Sequence, residues 1–171
     1  MIRTLSFAAL ALALAACGPK PEAAPLPPAG PRESALLATP AAIGRATTET
    51  AFDRDVVQRL FSDSDVSLEF REAAGVRMPI IVVRGPGDLL IEFRDKGGTL
   101  DSAVITGDGV RGPRGERNGE TLAALGFTAP DCSAPADNQV TCHRRGQPQL
   151  GFVFPVGGPE APLRAFDWQA D

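Results

Sequence analysis

The sequence predicts an α+β domain, an antiparallel β-sheet meander with two short helices. In several short segments, apolar and polar residues alternate with the two-residue period of a half-buried strand. Short glycine-rich turns join the first four of these segments, and such turns favour antiparallel neighbours because parallel strands need long crossovers. Two other stretches have the apolar spacing or the end signals of helices.

The first predicted element is an amphipathic helix over residues 50–62, where Val56, Val57 and Leu60 recur at helical spacing. Thr50 and Asp53 form a candidate capping box at its start. In such a box the threonine oxygen accepts an early backbone N–H, and the carboxylate faces the positive end of the helix. The polar run at residues 62–65 ends the predicted helix.

The remaining predicted elements are strands and one more helix. The strands are expected at residues 66–71, 79–84, 89–94, 99–106, 140–144, 149–154 and 163–168. Phe166 and Trp168 fall on one face of the last strand, and both are predicted to be core residues. The second short helix is predicted over residues 120–125, and Gly126 ends it.

The N-terminal residues have the organisation of a lipoprotein signal peptide. Arg3 precedes an apolar run over residues 5–16, and the run closes with Leu14-Ala15-Ala16-Cys17. A basic residue, an apolar stretch and small residues before a cut make a secretory signal, and a cysteine directly after them matches the bacterial lipoprotein box. Residues 1–16 are therefore predicted to be the signal peptide, and Cys17 the lipidated first residue of the mature protein. The alternative is an ordinary secretory signal with an incidental cysteine.

Composition divides the mature chain into a tether and one domain. Seven of the 16 prolines lie between Pro19 and Pro40, and proline disfavours helix at its own position and at the one before it. Residues 17–41 are predicted to be an extended tether, for which a proline-rich ligand is the alternative interpretation, and residues 42–171 a single globular domain. The net charge of −4 argues against nucleic acid as a partner.

Cys132 and Cys142 are the cysteines that remain once Cys17 carries lipid. An even remainder in an oxidising compartment favours a disulfide. A zinc site is the alternative, but zinc takes three or four ligands, and His143 would point away from Cys142 if the two lie in a strand. We therefore expect a disulfide, no metal site and no cofactor.

The sequence shows no set of catalytic residues. His143 is the only histidine, and neither a Gly-x-Ser-x-Gly elbow nor a phosphate-binding motif is present. An acid pair or metal site is the alternative interpretation of four aspartates that better fit helix ends, Asp53, Asp55, Asp63 and Asp65. An anion site is likewise the alternative to a solvated loop for three arginines in residues 107–119, Arg111, Arg114 and Arg117.

Several weak motifs occur in an order that is similar to that of a known family. Along the chain they are Ile43-Gly44, Thr50-Ala51-Phe52, Gly98-Thr99-Leu100, Gly115 with Gly119-Glu120-Thr121-Leu122, the Cys132 and Cys142 pair, and a last strand ending at Trp168. Over residues 43–168 the chain therefore resembles the sigma-E-regulated envelope lipoproteins, a family of unknown function. The resemblance implies a lipid-anchored α+β domain in the cell envelope and supplies no catalytic residues.

These expectations describe a membrane-anchored envelope lipoprotein whose domain is a binding or scaffolding module and not an enzyme. Gly18 is not the aspartate that retains lipoproteins at the inner membrane, so the expected location is the outer membrane, facing the periplasm. The expected partners are the membrane, through the lipid, and an envelope protein or the cell wall. The alternatives are a small-ligand-binding protein, a hydrolase with a site built from scattered polar groups, and an inhibitor of attacking lysozymes.

Overall fold

The computed structural model describes residues 35–170. In chain order its elements are β1 (Leu36–Leu37), α1 (Arg54–Leu60), β2 (Asp65–Ala73), β3 (Val76–Arg84), β4 (Leu90–Lys96), β5 (Thr99–Thr106), β6 (Val110–Arg111), a 3-10 helix (Ala129–Asp131), β7 (Gln139–Arg144), β8 (Gln147–Pro155) and β9 (Ala165–Gln169). Within these residues no helix has the length and apolar character needed to cross a membrane.

Seven strands form one sheet in the order β2-β3-β4-β5-β9-β8-β7, and each neighbouring pair is antiparallel. The first four strands follow chain order, so the predicted antiparallel meander is confirmed. The last three run in the reverse of chain order, which places β9 between β5 and β8. Trp168 of β9 consequently lies opposite both Ala103 of β5 and Leu150 of β8.

The hydrophobic core lies on one face of this sheet. Side chains alternate between faces along a strand, and the inward set includes Phe93, Phe152 and the predicted core residues Phe166 and Trp168, all four fully buried. The rings of Phe152 and Phe166 meet edge to face with centroids 5.4 Å apart. Val57 of α1 is also fully buried, so the helix packs against the same core. The fold is therefore mainly β, with the helix packed onto the core.

The first helix is present but shorter than predicted, and its cap is a different residue. It begins at Arg54, and the side chain of Asp53 accepts hydrogen bonds from the backbone N–H groups of Asp55 and Val56. The proposed capping box with Thr50 is wrong, because the hydroxyl of Thr50 accepts a hydrogen bond from the Thr47 N–H at 3.0 Å. Asp53 therefore acts as the N-cap by itself, one of the preferred residues there.

The predicted second helix over residues 120–125 is wrong. Residues 122–126 form turns, and Arg54–Leu60 is the one α-helix among residues 35–170. The N–H of Leu122 donates to the carbonyl oxygen of Ala161 at 3.0 Å, and the N–H of Ala123 donates to that of Pro159 at 2.9 Å. The Leu125 N–H does make an i→i−4 bond, to the carbonyl oxygen of Thr121 at 3.0 Å, but the next donor, the Gly126 N–H, bonds three residues back to Ala123 at 2.9 Å. The segment therefore closes one turn and does not continue as an α-helix.

The folded unit begins before residue 42, inside the stretch predicted to be tether. Leu36 and Leu37 of β1 pair in parallel with Val110 and Arg111 of β6. The N–H of Ala38 extends this pairing by donating to the carbonyl oxygen of Arg111 at 2.8 Å. Leu36 and Ala38 pack in or against the core, which explains why this short, proline-flanked segment is held in place.

Candidate functional site

The sheet face opposite the core carries a concave surface, which we call the polar trough and define by Arg94, Ser102, Thr141, Arg164, Asp167 and Gln169. It extends over β4, β5, β9, β8 and β7, which are neighbours in this order. Its volume is about 660 Å³, within the range of about 300–1,000 Å³ that ligand sites occupy. The trough is therefore large enough to hold a small or oligomeric ligand.

The strand register aligns polar side chains across the trough. Arg94 on β4 lies opposite Ser102 on β5, and Ser102 lies opposite Gln169 on β9. In the adjacent row, Asp167 on β9 lies opposite Gly151 on β8. Directly opposite residues of antiparallel strands have Cβ atoms about 5 Å apart. One ligand can thus contact side chains from three strands at once.

Gly151 makes room for the side chains of Thr141 and His143, which lie over its backbone. A Cβ atom at this position would lie 2.5 Å from Cγ2 of Thr141 and 3.1 Å from Cε1 of His143. Contacts below 3.0 Å are closer than side chains pack, so a larger residue would displace Thr141. With glycine here, the side chain of Asp167 has no side-chain neighbour at the opposite position on β8.

Groups of both charges line the polar trough. Arg94 is an exposed cation, and at the rim Nζ of Lys96 lies 3.7 Å from Oδ1 of Asp101. The half-buried Asp167 accepts a hydrogen bond from Nε2 of Gln169 at 2.9 Å. Hydroxyl, amide, carboxylate and guanidinium groups together offer both donors and acceptors. The arrangement suits a ligand rich in polar groups.

A second concavity, which we call the apolar groove, lies beside the Cys132–Cys142 disulfide. It has a volume of about 430 Å³ and is lined largely by apolar residues, including Leu122, Phe127, Val140, Val156 and Pro159. Phe127 is nearly buried, whereas Val156 is 48% exposed. The groove therefore has an apolar floor and an open side.

Glu116 is a buried charged residue with a complete set of partners. It is 4% exposed, and its Oε1 atom lies 3.3 Å from Nη2 of Arg144. Its Oε2 atom accepts a hydrogen bond from the Arg114 N–H at 2.8 Å. The guanidinium of Arg144 also lies 4.2 Å from the centroid of the Phe127 ring. This pair fastens the 112–116 loop to β7, which is a structural role.

The arginine-rich stretch uses its backbone donors internally. The N–H of Arg114 donates to Glu116, and the N–H of Arg117 donates to Oε2 of Glu120 at 2.7 Å. Both arginines are exposed. An anion site would need such N–H groups to be free and convergent, so the geometry favours the interpretation of a solvated loop.

Cys132 and Cys142 form a disulfide with an S–S distance of 2.00 Å. It holds the following segment along the outer edge of β7, where the Ser133 N–H donates to the carbonyl oxygen of Thr141 at 2.8 Å. Before the disulfide, the hydroxyl and N–H of Thr128 donate to Oδ2 of Asp131 at 2.6 and 2.9 Å. These hydrogen bonds favour the ionised carboxylate and lower the pKa of Asp131.

The other predicted sites do not assemble into a reaction centre. The lipidation site Cys17 lies outside the described residues. All four aspartates considered for an acid pair or metal site are exposed: Asp53, Asp55, Asp63 and Asp65. Residues 35–170 contain no group of three or more His, Cys, Asp or Glu side chains that could hold a metal ion. The arrangement at the polar trough can bind, but it does not present a nucleophile and base in contact.

The fold is similar to a solved structure. The crystal structure of the uncharacterized protein yfeY from Escherichia coli matches with a TM-score of 0.61, covering 77% of this chain and 98% of that chain at 15% identity. This likeness shows a shared fold and carries no activity with it. No family model and no curated protein matches the sequence.

Sequence reasoning did not find the polar trough. Its residues belong to the outward positions of alternating strands, which the pattern assigns to solvent. Alternation reports which face a residue occupies, but it contains no information on strand order or sheet curvature. The one available signal was the density of hydroxyl and amide residues at outward positions, such as Ser102, Thr106 and Thr141.

Proposed function

We propose that this chain is a lipid-anchored envelope protein whose folded unit binds the glycan of the cell wall through the polar trough. The observation that supports this proposal most directly is the concave polar face that five neighbouring strands build opposite the core. The lining is mostly polar, with small aliphatic residues such as Val104, Val153 and Ala165 between the polar side chains. A protein partner is favoured by large aromatic or arginine anchors packed at the centre of an interface, and the trough has no aromatic residue in its lining. A binding role, not catalysis, fits this arrangement.

The chemistry of the trough complements a polymer with hydroxyl, amide and carboxylate groups. The Arg94 and Arg164 guanidinium groups can donate to carboxylates, since arginine recognises them in a bidentate manner. Asp167 can accept from hydroxyl groups, and the Gln169 amide beside it can donate and accept. Cell-wall glycan strands with their peptide side chains carry these complementary groups.

The anchor in this proposal is Cys17, which would carry the lipid, followed by the proline-rich tether. Two or three acyl chains on one cysteine hold a protein stably, because each buried CH2 contributes about 0.8 kcal/mol. The tether would let the domain reach the wall from the bilayer. Gly18 after the cysteine favours the outer membrane, with the domain facing the periplasm.

Sedimentation with purified sacculi tests the ligand. Chain carrying Cys17→Ala is mixed with sacculi, and the protein in the pellet is measured for three forms. The double variant Arg94→Gln/Asp167→Asn should bind at least about a hundredfold more weakly, since it removes two charged groups and hydrogen bonds to charged groups contribute about 1.5–3 kcal/mol each. The control Arg45→Gln/Asp108→Asn makes the same charge changes at exposed positions outside the trough. Equal losses in both variants, or no binding by the unchanged trough, would contradict the proposal.

Labelling with a clickable fatty acid tests the anchor separately. The full precursor with native Cys17 should take up the label and fractionate with the outer membrane, and the Cys17→Ala precursor should do neither. Label on both forms, or on neither, would contradict lipidation at this residue. The result does not depend on what the trough binds.

The apolar groove supports a second candidate, the binding of a small apolar ligand. Phe127 and Val140 supply an apolar floor beside the disulfide, and Val156 borders the open side. Val156→Asp would place a carboxylate at this border, where desolvating it on ligand entry is costly. The test is the binding of a fluorescent fatty-acid probe. Binding to the native chain and to Asp167→Asn, but not to Val156→Asp, would favour the apolar groove over the polar trough as the ligand site.

A further inference from the structure

The two edge strands of the sheet differ in how they are protected. The outer edge of β7 is covered by the segment after Cys132, through the disulfide and the hydrogen bond from Ser133 to Thr141. In the part of the chain that the structure describes, β2 has β3 on one side and no strand on the other. An unpaired edge of a nine-residue strand is a template for pairing with another chain.

The open edge of β2 carries apolar side chains that the core does not cover. Leu68 and Phe70 lie on the core-facing side of the strand, and each is 50% exposed. The guanidinium of Arg77 lies 4.0 Å from the centroid of the Phe70 ring. This cation–π contact orients the ring before any partner binds. Aromatic residues held in this way are typical anchors of protein interfaces.

We propose that β2 pairs with β2 of a second copy of this chain, antiparallel and with the two-fold axis at Phe70. A two-fold axis normal to the sheet keeps each face of one copy continuous with the same face of the other. Residues whose numbers sum to 140 then lie opposite each other. The proposal concerns the edge of the sheet and is independent of the ligand of the polar trough.

Charge complementarity selects this register. Centring the pair on Phe70 places Glu69 opposite Arg71 of the second copy, twice by symmetry. Centring it on Glu69 or Arg71 would place like charges opposite each other, which destabilises strand pairs. Centring it on Leu68 would leave Glu69 opposite an uncharged serine.

The paired charges would also join two existing networks. Oε1 of Glu69 lies 2.8 Å from Nη1 of Arg84, and Arg71 is bonded to Glu92. Across the proposed interface, Glu69 of each copy would meet Arg71 of the other, so the two networks would become one continuous row of alternating charges.

Oligomeric state tests the interface. Full-length chain carrying Cys17→Ser, purified in detergent, should sediment with a concentration-dependent mass that reaches twice that of the monomer. Phe70→Glu should hold it at the monomer mass, whereas Val156→Glu, which adds the same charge at another exposed apolar position, should dimerise like the parent. A monomer at every concentration, or equal loss in both variants, would overturn the proposal. The proposal would also be overturned if the parent chain bound phospholipid vesicles, if Phe70→Glu abolished that binding, and if neither chain formed a dimer.

Cysteine pairing tests the register without changing Phe70. Residues 67 and 73 face each other in the proposed pair, and opposite Cα atoms about 4.5–5.5 Å apart can form a disulfide. On mild oxidation, a mixture of Ser67→Cys and Ala73→Cys chains, each also carrying Cys17→Ser, should give a dimer band on a non-reducing gel. Either variant alone should remain a monomer band. Bands of equal strength from the single variants would overturn this register.

Discussion

The indole Nε1 of Trp168 donates a hydrogen bond to the carbonyl oxygen of Pro40 at 3.0 Å, joining residues that are 128 positions apart. Trp168 is fully buried near the end of β9, which lies between β5 and β8. Pro40 follows the short segment that pairs with β6. The last strand therefore holds the start of the folded unit against the core.

Replacing Trp168 with Phe removes this donor and leaves the carbonyl oxygen of Pro40 without it. We expect the unfolding free energy to fall by about 1–3 kcal/mol because of the unpaired acceptor, and to fall further because the smaller ring leaves a cavity. Urea unfolding followed by circular dichroism measures the change. An unchanged unfolding free energy would show that the hydrogen bond does not stabilise the fold.

Gly107 occupies a position that a side chain cannot share. Its φ is +92°, and a Cβ atom there would lie 2.1 Å from the carbonyl oxygen of Asp88. Gly107→Ala should therefore shift the backbone and cost well above the roughly 1 kcal/mol of an unfavourable φ alone. Gly97→Ala is the control, since its φ is +70° and no atom lies within 4 Å of the added Cβ. Equal melting temperatures for the two variants would contradict this difference.

Glu116 is expected to stabilise the fold through Arg144. Nε of Arg144 is buried without a hydrogen-bond partner, and Glu116→Ala would remove the partner of Nη2 as well. Breaking a buried pair costs about 3–5 kcal/mol. The contacts of Arg144 with the Phe127 ring remain, so the lower end of this range is expected. Glu160→Gln, at an exposed position, should leave the unfolding free energy unchanged. The prediction fails if Glu116→Ala is as stable as that control.

The double variant Glu116→Leu/Arg144→Met tests whether two apolar side chains can replace the same buried ion pair. Apolar replacements of similar size often recover the stability lost when one charge is removed. The double variant should therefore be more stable than Glu116→Ala in the same urea titration. Lower stability than the single variant would mean that Arg144 contributes mainly through its packing on the rings.

The disulfide should contribute a substantial part of the stability. Cys132 and Cys142 are 10 positions apart, and for such a loop the chain-entropy model gives about 2.5–3 kcal/mol. The unfolding free energy of the variant Cys132→Ser/Cys142→Ser should be lower by this amount, which lowers the midpoint of its urea titration. Reducing the native chain should have the same effect, and a reduced chain as stable as the oxidised one would refute the estimate.

Glu69 links stability to pH. The hydrogen bond from Arg84 and that from Ser67 lower the pKa of Glu69 from its ordinary value of 4.5. Because its folded-state pKa lies below the unfolded value, the ionised carboxylate stabilises the fold above pH 4.5, and this contribution is lost as the pH falls through the folded-state pKa. Glu69→Gln should thus be less stable by about 0.2–1 kcal/mol at pH 7, the range for exposed pairs. The difference between the two chains should vanish in acid, and a constant difference would contradict the assignment.

The sequence predicts the strands well because alternation is a local property. Val66 and Ile91 mark buried faces whatever the strands pair with, and both are buried as the pattern indicates. The order of the last three strands depends on long-range packing around Trp168, which no local pattern records. The predicted helix at residues 120–125 is wrong because the segment closes a single turn, with an i→i−4 bond from the Leu125 N–H to Thr121, before the Gly126 N–H bonds three residues back to Ala123.

The polar trough could not be predicted from the sequence, because its residues come together only through long-range strand pairing. Arg94 and Asp167 are far apart along the chain, and they share a surface only because β9 pairs with β5. Each taken alone has the pattern of an ordinary solvated residue on a strand. The charged groups that sequence reasoning did consider, such as Asp53 and Arg114, serve as a helix cap and a loop residue.

Site-specific photo-crosslinking in intact cells tests most directly whether the polar trough binds the cell wall. A photoreactive residue replaces Thr141 in the trough, and in a second chain it replaces Asp108 in an exposed loop outside it. After irradiation and digestion of the sacculus, mass spectrometry should find glycan fragments attached at position 141 and not at position 108. Fragments at both positions, or protein adducts alone at position 141, would contradict the account.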